Sequence, residues 1–525
     1  MMNVTRQNDK IHKMKNLKST LAVIACLVIS FSATAKTYDI KQLGANHKGE
    51  KSCTELINKT IQKASAKGGG TIYFPAGTYK TGAIEMADNI TLYLEAGATL
   101  SFTTDFDEYI PFKKVRWEGI FMNTFKPLIY GDSIKNVAIK GEGVLEGNGE
   151  AWWEAVKNEQ HKIWRDGSLG ELNKYQQMWG NQNIGLQVDA YYAKSMEHLF
   201  FRPPFLQFLE SQNIQITGVT FRNSPFWTIN PVGCENLLID GIVIDNPDDG
   251  WNTDGINPSS CKNVRISNCK ISVGDDCVTI KSGRDGNGRD YGKPCENITI
   301  SNCIMLAGHG GVVIGSEMSG GVKNITITGC VFDGTDAGIR LKSSRGRGGV
   351  VENIRVDNII MRNIQKTAFI FNLYYDKDAT PERFSERTPT FRNIHISNVT
   401  GVDVNAAGDL HGIEEMPITN VSLSNIQMES KTGFKATLGT GIEFHNVDIS
   451  TEMGASIMVK NCNTVVLDDV RSKAPHDGVN VIEVSDSKNV FLNNAFPRVS
   501  TPNYIELDET QFVKGGNNCF VNLKE

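Results

Sequence analysis

Four short stretches of this chain share one alternation of apolar and polar positions. They span Thr253–Asn257, Asp275–Thr279, His309–Val313 and Asp336–Arg340. Aligned on Gly255, Cys277, Gly311 and Gly338, each passes from a polar turn into a strand-like segment. Ile256, Val278, Val312 and Ile339 fall on one parity, joined by Ile280, Ile314 and Leu341, while Asn257, Thr279, Lys281, Arg340 and Lys342 occupy the other. Side chains alternate faces along a strand, so the first set belongs to a core and the second to an outer face.

A second pattern frames the first. An asparagine followed by apolar-x-apolar recurs at Asn213, Asn236, Asn263, Asn297, Asn324, Asn353, Asn393 and Asn420, with successive offsets of 23, 27, 34, 27, 29, 40 and 27 residues. Weaker copies start at Asn89, Asn136 and Asn489. Repeats of this size signal a solenoid. Short β-branched segments without helical periodicity between them predict an all-β, right-handed parallel β-helix with one turn per repeat. A sandwich or propeller is the competing arrangement, but fixed-register asparagines can hydrogen-bond along a ladder, and uneven insertions suit stacked coils.

Length then adds coils rather than domains, and residues 36–525 read as one solenoid domain with an insertion at about 147–196. The spacing of Leu56, Ile57, Ile61 and Ala64 predicts a short helix over Cys53–Ala64, with Thr54 as N-cap, covering the open N-terminal end. Within the insertion, 149–156 and 171–179 read as short helices or an ordered loop. Such an aromatic-rich excursion either walls off one end of a cleft or packs on the barrel.

The net charge of −5 and pI near 6.1 give no bulk basic footprint for nucleic acid or an acidic membrane, so a polyanion must be gripped by local cations. Lys13, Lys15 and Lys18 precede an apolar run over 21–31 and then Ala33-Thr34-Ala35, which reads as a signal peptide over 1–35, cleaved before Lys36. That run is too short to span a bilayer and no other stretch is apolar enough, so export to the periplasm or beyond is expected, with a monomer as default. Cys26 could be misread as a lipoprotein anchor, but the apolar run continues past it. Ten cysteines remain after cleavage. Cys234, Cys261 and Cys295 share one register and Cys269, Cys303 and Cys330 another, which favours stacked free thiols over disulfides. Cys462 with Cys519 is the best disulfide candidate. No paired-cysteine or histidine cluster points to a metal site, and no cofactor is expected.

The chemistry concentrates on the polar face of the four aligned segments. Neighbouring parallel strands lie roughly 4.8 Å apart. Asp254 and Asp276 share a register, and Asp275 shares one with Thr253 and His309. Three carboxylates so close cannot all ionise normally, and one stays protonated. A protonated acid beside ionised partners is what glycosidic cleavage needs, a proton for the leaving oxygen and a base for water. An Asx turn would explain an isolated Asp275-Asp276 pair, but not the surrounding in-register charges. Arg340 and Lys342, with Lys281 in the Lys342 column, suit substrate carboxylates or salt bridges to the aspartates.

These residues carry a family resemblance. Asn252-Thr253-Asp254, Gly274-Asp275-Asp276, Gly308-His309-Gly310 and Arg340-Leu341-Lys342 appear in the order of the four signatures of glycoside hydrolase family 28, the polygalacturonases and their relatives. Only Leu341, for isoleucine, departs from the pattern. The chain resembles that family from about residue 37 to the last coils. The resemblance implies a pectin-lyase-like β-helix that hydrolyses α-1,4-galacturonosyl bonds of pectin and oligogalacturonides with inversion. It implies Asp275 as general acid, Asp254 with Asp276 activating water, and His309 supporting the acid. Arg340 and Lys342 would bind the carboxylate beside the scissile bond, with Asn252 and Lys281 also in the substrate-binding set. Tyr374, with Tyr375, either lines the product subsite by stacking on sugar or is buried packing. The segments 284–294, 147–196 and 315–321 resemble exo-acting bacterial members. Adjacent-coil carboxylates should nonetheless sit closer than the roughly 6.5–9.5 Å usual for inversion. Rival readings are a hydrolase of rhamnogalacturonan or substituted galacturonan, a calcium-dependent pectate lyase, and a polysaccharide-binding adhesin or tailspike.

Overall fold

The computed structural model describes residues 36–157, 171–186, 199, 201–376, 379–473, 478–494, 504–507, 510–515 and 518–523. Apart from Lys36 and Thr37 they fall in one compact unit, Tyr38–Glu525. The expected signal peptide lies outside the described residues.

Successive coils stack into three parallel ladders, a right-handed parallel β-helix. In the middle of the molecule one ladder runs through Lys262–Ser267, Cys295–Ser301 and Val322–Thr328. A second passes through Lys270–Ser272, Ile304–Ala307 and Val331–Asp333. A third joins Asp276–Ile280, Gly310–Gly315 and Ala337–Lys342. From Val350 onward strands run through the bends, as in Val350–Asn372 and Thr390–His411. The interior is filled by like residues in register, such as Ile298, Ile325 and Ile354, all buried. Each such side chain stabilises the stack by roughly 1.5–3 kcal/mol.

The asparagines form the expected ladder. From Asn136 bonding to Asn89 up to Asn420 bonding to Asn393, each Nδ2 donates to the preceding Oδ1 over 2.9–3.4 Å. All sit at positive φ, 58° at Asn297 for example, and Gly441 takes the next rung at 67°. Asparagine tolerates that left-handed conformation better than other side chains, and its amide carries a donor and an acceptor along the stacking direction.

Both cysteine columns are buried free thiols. Cys261 N donates to Cys295 Sγ at 3.3 Å, and the thiols of Cys269, Cys303 and Cys330 donate to the carbonyls of Ser267, Ser301 and Thr328. Cys462 corrects the disulfide expectation: it is a free thiol, donating to the carbonyls of Ala436 and Lys460. The side chain of Cys519 lies outside the described residues.

The N-terminal helix spans Thr54–Ser65 and buries Ile57, Thr60, Ile61 and Ala64. Its cap differs from expectation. Cys53 is the N-cap, without a side-chain bond, because the Thr54 hydroxyl is turned to Glu108 Oε2 and accepts from Gly82 N, each at 2.6 Å. In the insertion, 150–157 and Lys174–Gln182 are helical, the latter with a capping box on Asn173. Trp152 is buried against Phe106, Tyr109 and Phe125, and Trp179 stacks on Phe201. Trp152, Tyr175 and Trp179 therefore pack against aromatic side chains of residues 106–125 and Phe201. No described helix is long and apolar enough to cross a membrane.

Candidate active site

The third ladder delivers the acidic cluster. Ile256 pairs with Val278, Asp276 with Gly310, and Val312 with Ile339. Asp254 thus lies beside Asp276, while Thr253, Asp275 and His309 form one column, and Lys281, Gly315 and Lys342 another. One carboxylate oxygen from each of Asp254, Asp275 and Asp276 lies within 4.8 Å of the others. Gly308, at φ 142°, permits the approach of the histidine strand, since a Cβ there would sit 2.4 Å from the carbonyl of Asp275.

The cluster is largely buried rather than displayed on an open face. Asp254 and Asp276 are buried, Asp275 retains 18% side-chain exposure, and His309 stands at the rim with 53%. Asn257, Thr279 and Lys281, expected on an outer surface, are buried as well. Glu317 pairs with Lys281, and Asp285–Tyr291, within the 284–294 segment, forms a short helix.

Each carboxylate is held differently. Asp254 Oδ2 accepts from Asn257 Nδ2 at 2.9 Å and Thr279 Oγ1 at 3.2 Å. Asp276 Oδ2 accepts from Lys342 Nζ at 2.8 Å. The Oδ1 atoms of both are buried and unpartnered among the described residues. Asp275 Oδ1 accepts from Asp276 N at 2.9 Å and lies 3.2 Å from His309 Nδ1. Asp275 Oδ2 faces Asn252 Nδ2 at 3.5 Å, the long end of a hydrogen bond.

This unequal support separates the three ionisations. Burial, reinforced by the charge of Asp275, raises the Asp254 carboxyl well above the ordinary aspartate range. Burial also pushes Asp275 upward, but the His309 hydrogen bond and the charges of Lys342 and Lys281 outweigh it, leaving that carboxyl below its usual value. His309 is raised above the ordinary imidazole value, chiefly by its bond to Asp275. These shifts favour the protonated forms of Asp254 and His309 and the ionised form of Asp275.

The cations divide into paired and unpaired groups. Lys281 corrects the expectation of a substrate-facing ammonium: its Nζ lies 2.8 Å from Glu317 Oε2 and 4.5 Å from the Trp227 ring centroid. Lys342 is committed to Asp276. Arg340 is half-buried, and among the described residues it makes no ion pair and leaves Nε unpartnered. The guanidinium of Arg340 and the ammonium of Lys342 both face the exposed ring of Tyr375, at 5.7 and 5.6 Å. Tyr374 is turned away, stacked on His411 and faced by Arg345. The ring beside these two cations is therefore that of Tyr375, because the chain leaves the strand at Asn372 and its alternation lapses there.

Three contributors escape sequence reasoning. Glu317 sits outside the strand alternation, so nothing in the pattern points to it. Trp227 has the same difficulty. Arg202, buried, donates from Nη2 to Asn252 Oδ1 at 2.8 Å and from Nη1 to the carbonyls of Pro225 and Trp251, with the Phe226 ring 5.1 Å from the guanidinium. Asn252 accordingly meets Asp275 and Arg202. The three aspartates also have a spacing able to hold one divalent cation. Lys342 already occupies Asp276, and the proton favoured at Asp254 competes with any metal.

Residues 174–440 match the model for glycosyl hydrolases family 28, and residues 37–273 match one for rhamnogalacturonase A/epimerase, pectate lyase-like proteins. The chain is 31% identical over 372 residues to a "Probable polygalacturonase" of Vitis vinifera, covering 70% of this chain and 68% of that one. It is 26% identical over 451 residues to an exo-poly-alpha-D-galacturonosidase of Dickeya chrysanthemi, covering 79% and 72%. Among solved structures it is similar to a hyperthermoactive exopolygalacturonase from Thermotoga maritima, with TM-score 0.69 and 32% identity over 79% of this chain and 91% of that one.

Proposed function

The chain belongs to glycosyl hydrolases family 28 and is a glycosidase of polygalacturonase type, and from that premise we propose that it cleaves α-1,4-galacturonosyl bonds of pectin from a chain end, with inversion. The observation that carries the reading is the carboxylate cluster, its oxygens within 4.8 Å, beside an Arg340 guanidinium that makes no ion pair among the described residues. Arg340 binds the carboxylate of the sugar next to the scissile bond, and the exposed Tyr375 ring supports that sugar face. Asp275 delivers the proton to the leaving oxygen through Oδ2, its less encumbered atom, and His309 replenishes it through Oδ1. The bare Oδ1 atoms of Asp254 and Asp276 hold the attacking water, and Lys342 bonds to the other oxygen of Asp276. Two carboxylates holding one water relax the wider separation usual for a single base.

Exo action draws support from the likeness to the Dickeya and Thermotoga enzymes, whose names state it. Export through the N-terminal signal fits a polymer met outside the cytoplasm. A second assignment of the acid has one observation behind it. The unliganded electrostatics put a proton on Asp254, so Asp254 would donate and Asp275 act as base. Product profiling on polygalacturonate with anomeric configuration read by NMR tests the main reading. Monomer or dimer alone at early times, in the β configuration, is the expected result. A ladder of oligomers excludes exo action, and retained α configuration excludes inversion.

A further inference from the structure

The carbohydrate-facing end of Asn252 is set from behind. Its Oδ1 receives Arg202 Nη2 at 2.8 Å, and the same guanidinium holds the carbonyl of Trp251, the preceding residue. Asn252 itself sits at φ 52°, so its backbone is fixed in a left-handed turn while its side chain is gripped at the tip. A guanidinium carries five donors and no acceptor. Only the oxygen end of an amide can therefore face Arg202, and the NH₂ end must face Asp275.

We propose that Arg202 is a positioning residue for the hydrolytic reaction, locking the Asn252 amide so that it presents a donor, never an acceptor, to Asp275 Oδ2. The inference rests on the hydrolase reading above. A donor at Oδ2 favours the ionised form of Asp275, and an acceptor there would favour the protonated form. The amide orientation therefore decides how readily Asp275 yields its proton at the oxygen that faces the leaving group. Asp276 N and His309 already occupy Oδ1, so Asn252 is the described side chain acting on Oδ2. Arg202 also acts on Asp275 through its charge, as do Lys342, Lys281, Asp254 and Asp276, and of these only Arg202 reaches the Asn252 amide as a described hydrogen-bond partner. Arg202 is held over Phe226 and against two backbone carbonyls, so the grip does not depend on the substrate.

The test compares R202Q, R202K and N252D with the wild-type protein. The readouts are kcat and KM on polygalacturonate across pH, thermal melting, and titration of the aspartate carboxyls by ¹³C NMR, which needs no substrate. R202Q frees the amide to turn, and N252D replaces the donor with an acceptor while keeping the Arg202 contact. Both should raise the Asp275 titration by about one pH unit. Their kcat should fall about tenfold or more at the wild-type optimum, with KM within about twofold. R202K, which also can only donate, should stay near wild type in its pH profile. An unchanged Asp275 titration in N252D, or R202Q behaving as a merely less stable enzyme with the wild-type profile, overturns the proposal. Should R202Q fail to fold, N252D and R202K still decide it. A wild-type protein inert on polygalacturonate would sink the hydrolase reading instead, while the carboxyl titrations would continue to report on the Arg202–Asn252–Asp275 chain.

Discussion

His309 Nδ1 stands 3.2 Å from Asp275 Oδ1, and the pair splits its proton unevenly, the imidazole raised and the carboxyl lowered. Catalysis through Asp275 needs one proton on this pair. The proton is present below the raised imidazole value and lost as pH climbs through it. The alkaline limb of kcat/KM should therefore lie above the ordinary histidine value of about 6.5. In H309A the proton must reside on Asp275 alone, and the limb should move into the acid range, by a unit or more. A pH–rate profile of both proteins checks this, and an unmoved limb in H309A would remove the histidine from the acid's support.

Substrates with an activated leaving group should separate the two acid assignments. Losing a general acid costs about 10²–10⁴ in rate on a poor leaving group and far less on a good one. With a nitrophenyl galacturonide, D275N should recover most of its activity, whereas D254N and D276N should remain impaired. Recovery in D254N instead would transfer the proton-donor role to Asp254.

Glu317 and Lys281 form a buried pair, and breaking one side strands the other. E317Q should destabilise the protein by about 3–5 kcal/mol, and K281M/E317Q by less. The Glu317 carboxyl is depressed, since Lys281, Arg284 and Arg347 overcome the opposing effect of burial. Its contribution is fully present above the ordinary glutamate range of about 4.3 and fades only as pH falls far below it. Urea midpoints at pH 7 and pH 5.5 should thus show nearly the same penalty for E317Q. A neutral E317Q would mean that the pair is not formed.

The asparagine ladder makes a backbone prediction. Asn297 sits at φ 58° and bonds to both Asn263 and Asn324. N297A loses both bonds and must strain, whereas N297G loses the bonds alone. The alanine variant should be the less stable by about 1 kcal/mol. Equal melting temperatures would deny the left-handed conformation any weight at this turn.

Chelation distinguishes hydrolysis from elimination. With Lys342 on Asp276 and a proton favoured at Asp254, EDTA should leave activity unchanged and products should show no new ultraviolet absorption. Loss of activity in chelator would assign the aspartates to a cation.

Much of this molecule was readable in its residues because stacking propagates register. Four aligned segments predict that Asp254 falls beside Asp276 and Asp275 beside His309, and the pairings of Val278, Gly310 and Ile339 place them so. Alternation gives the parity of Lys281 but not its surroundings, because what covers a strand depends on loops that obey no period. Glu317 comes from such a loop and takes Lys281 out of contact with solvent. Arg202 lies 50 residues before Asn252 in a segment without alternation, and only the closed coil brings them together. Tyr375 rather than Tyr374 meets the two cations for a related reason, since a strand's two-sided logic stops where its hydrogen bonds stop. At the helix cap, Thr54 had a competing partner in Glu108, distant in sequence and near in space.

Asn136 and Asn213 stack at 2.9 Å although 77 residues separate them, while Asn213 and Asn236 do the same across 23. A coil of this protein is thus held in register along its ladders, while the connections between them vary in length. Lineages can lengthen or rebuild the walls around the cleft between two rungs without disturbing the spine. Substrate preference is free to drift on a scaffold that need not change to follow it.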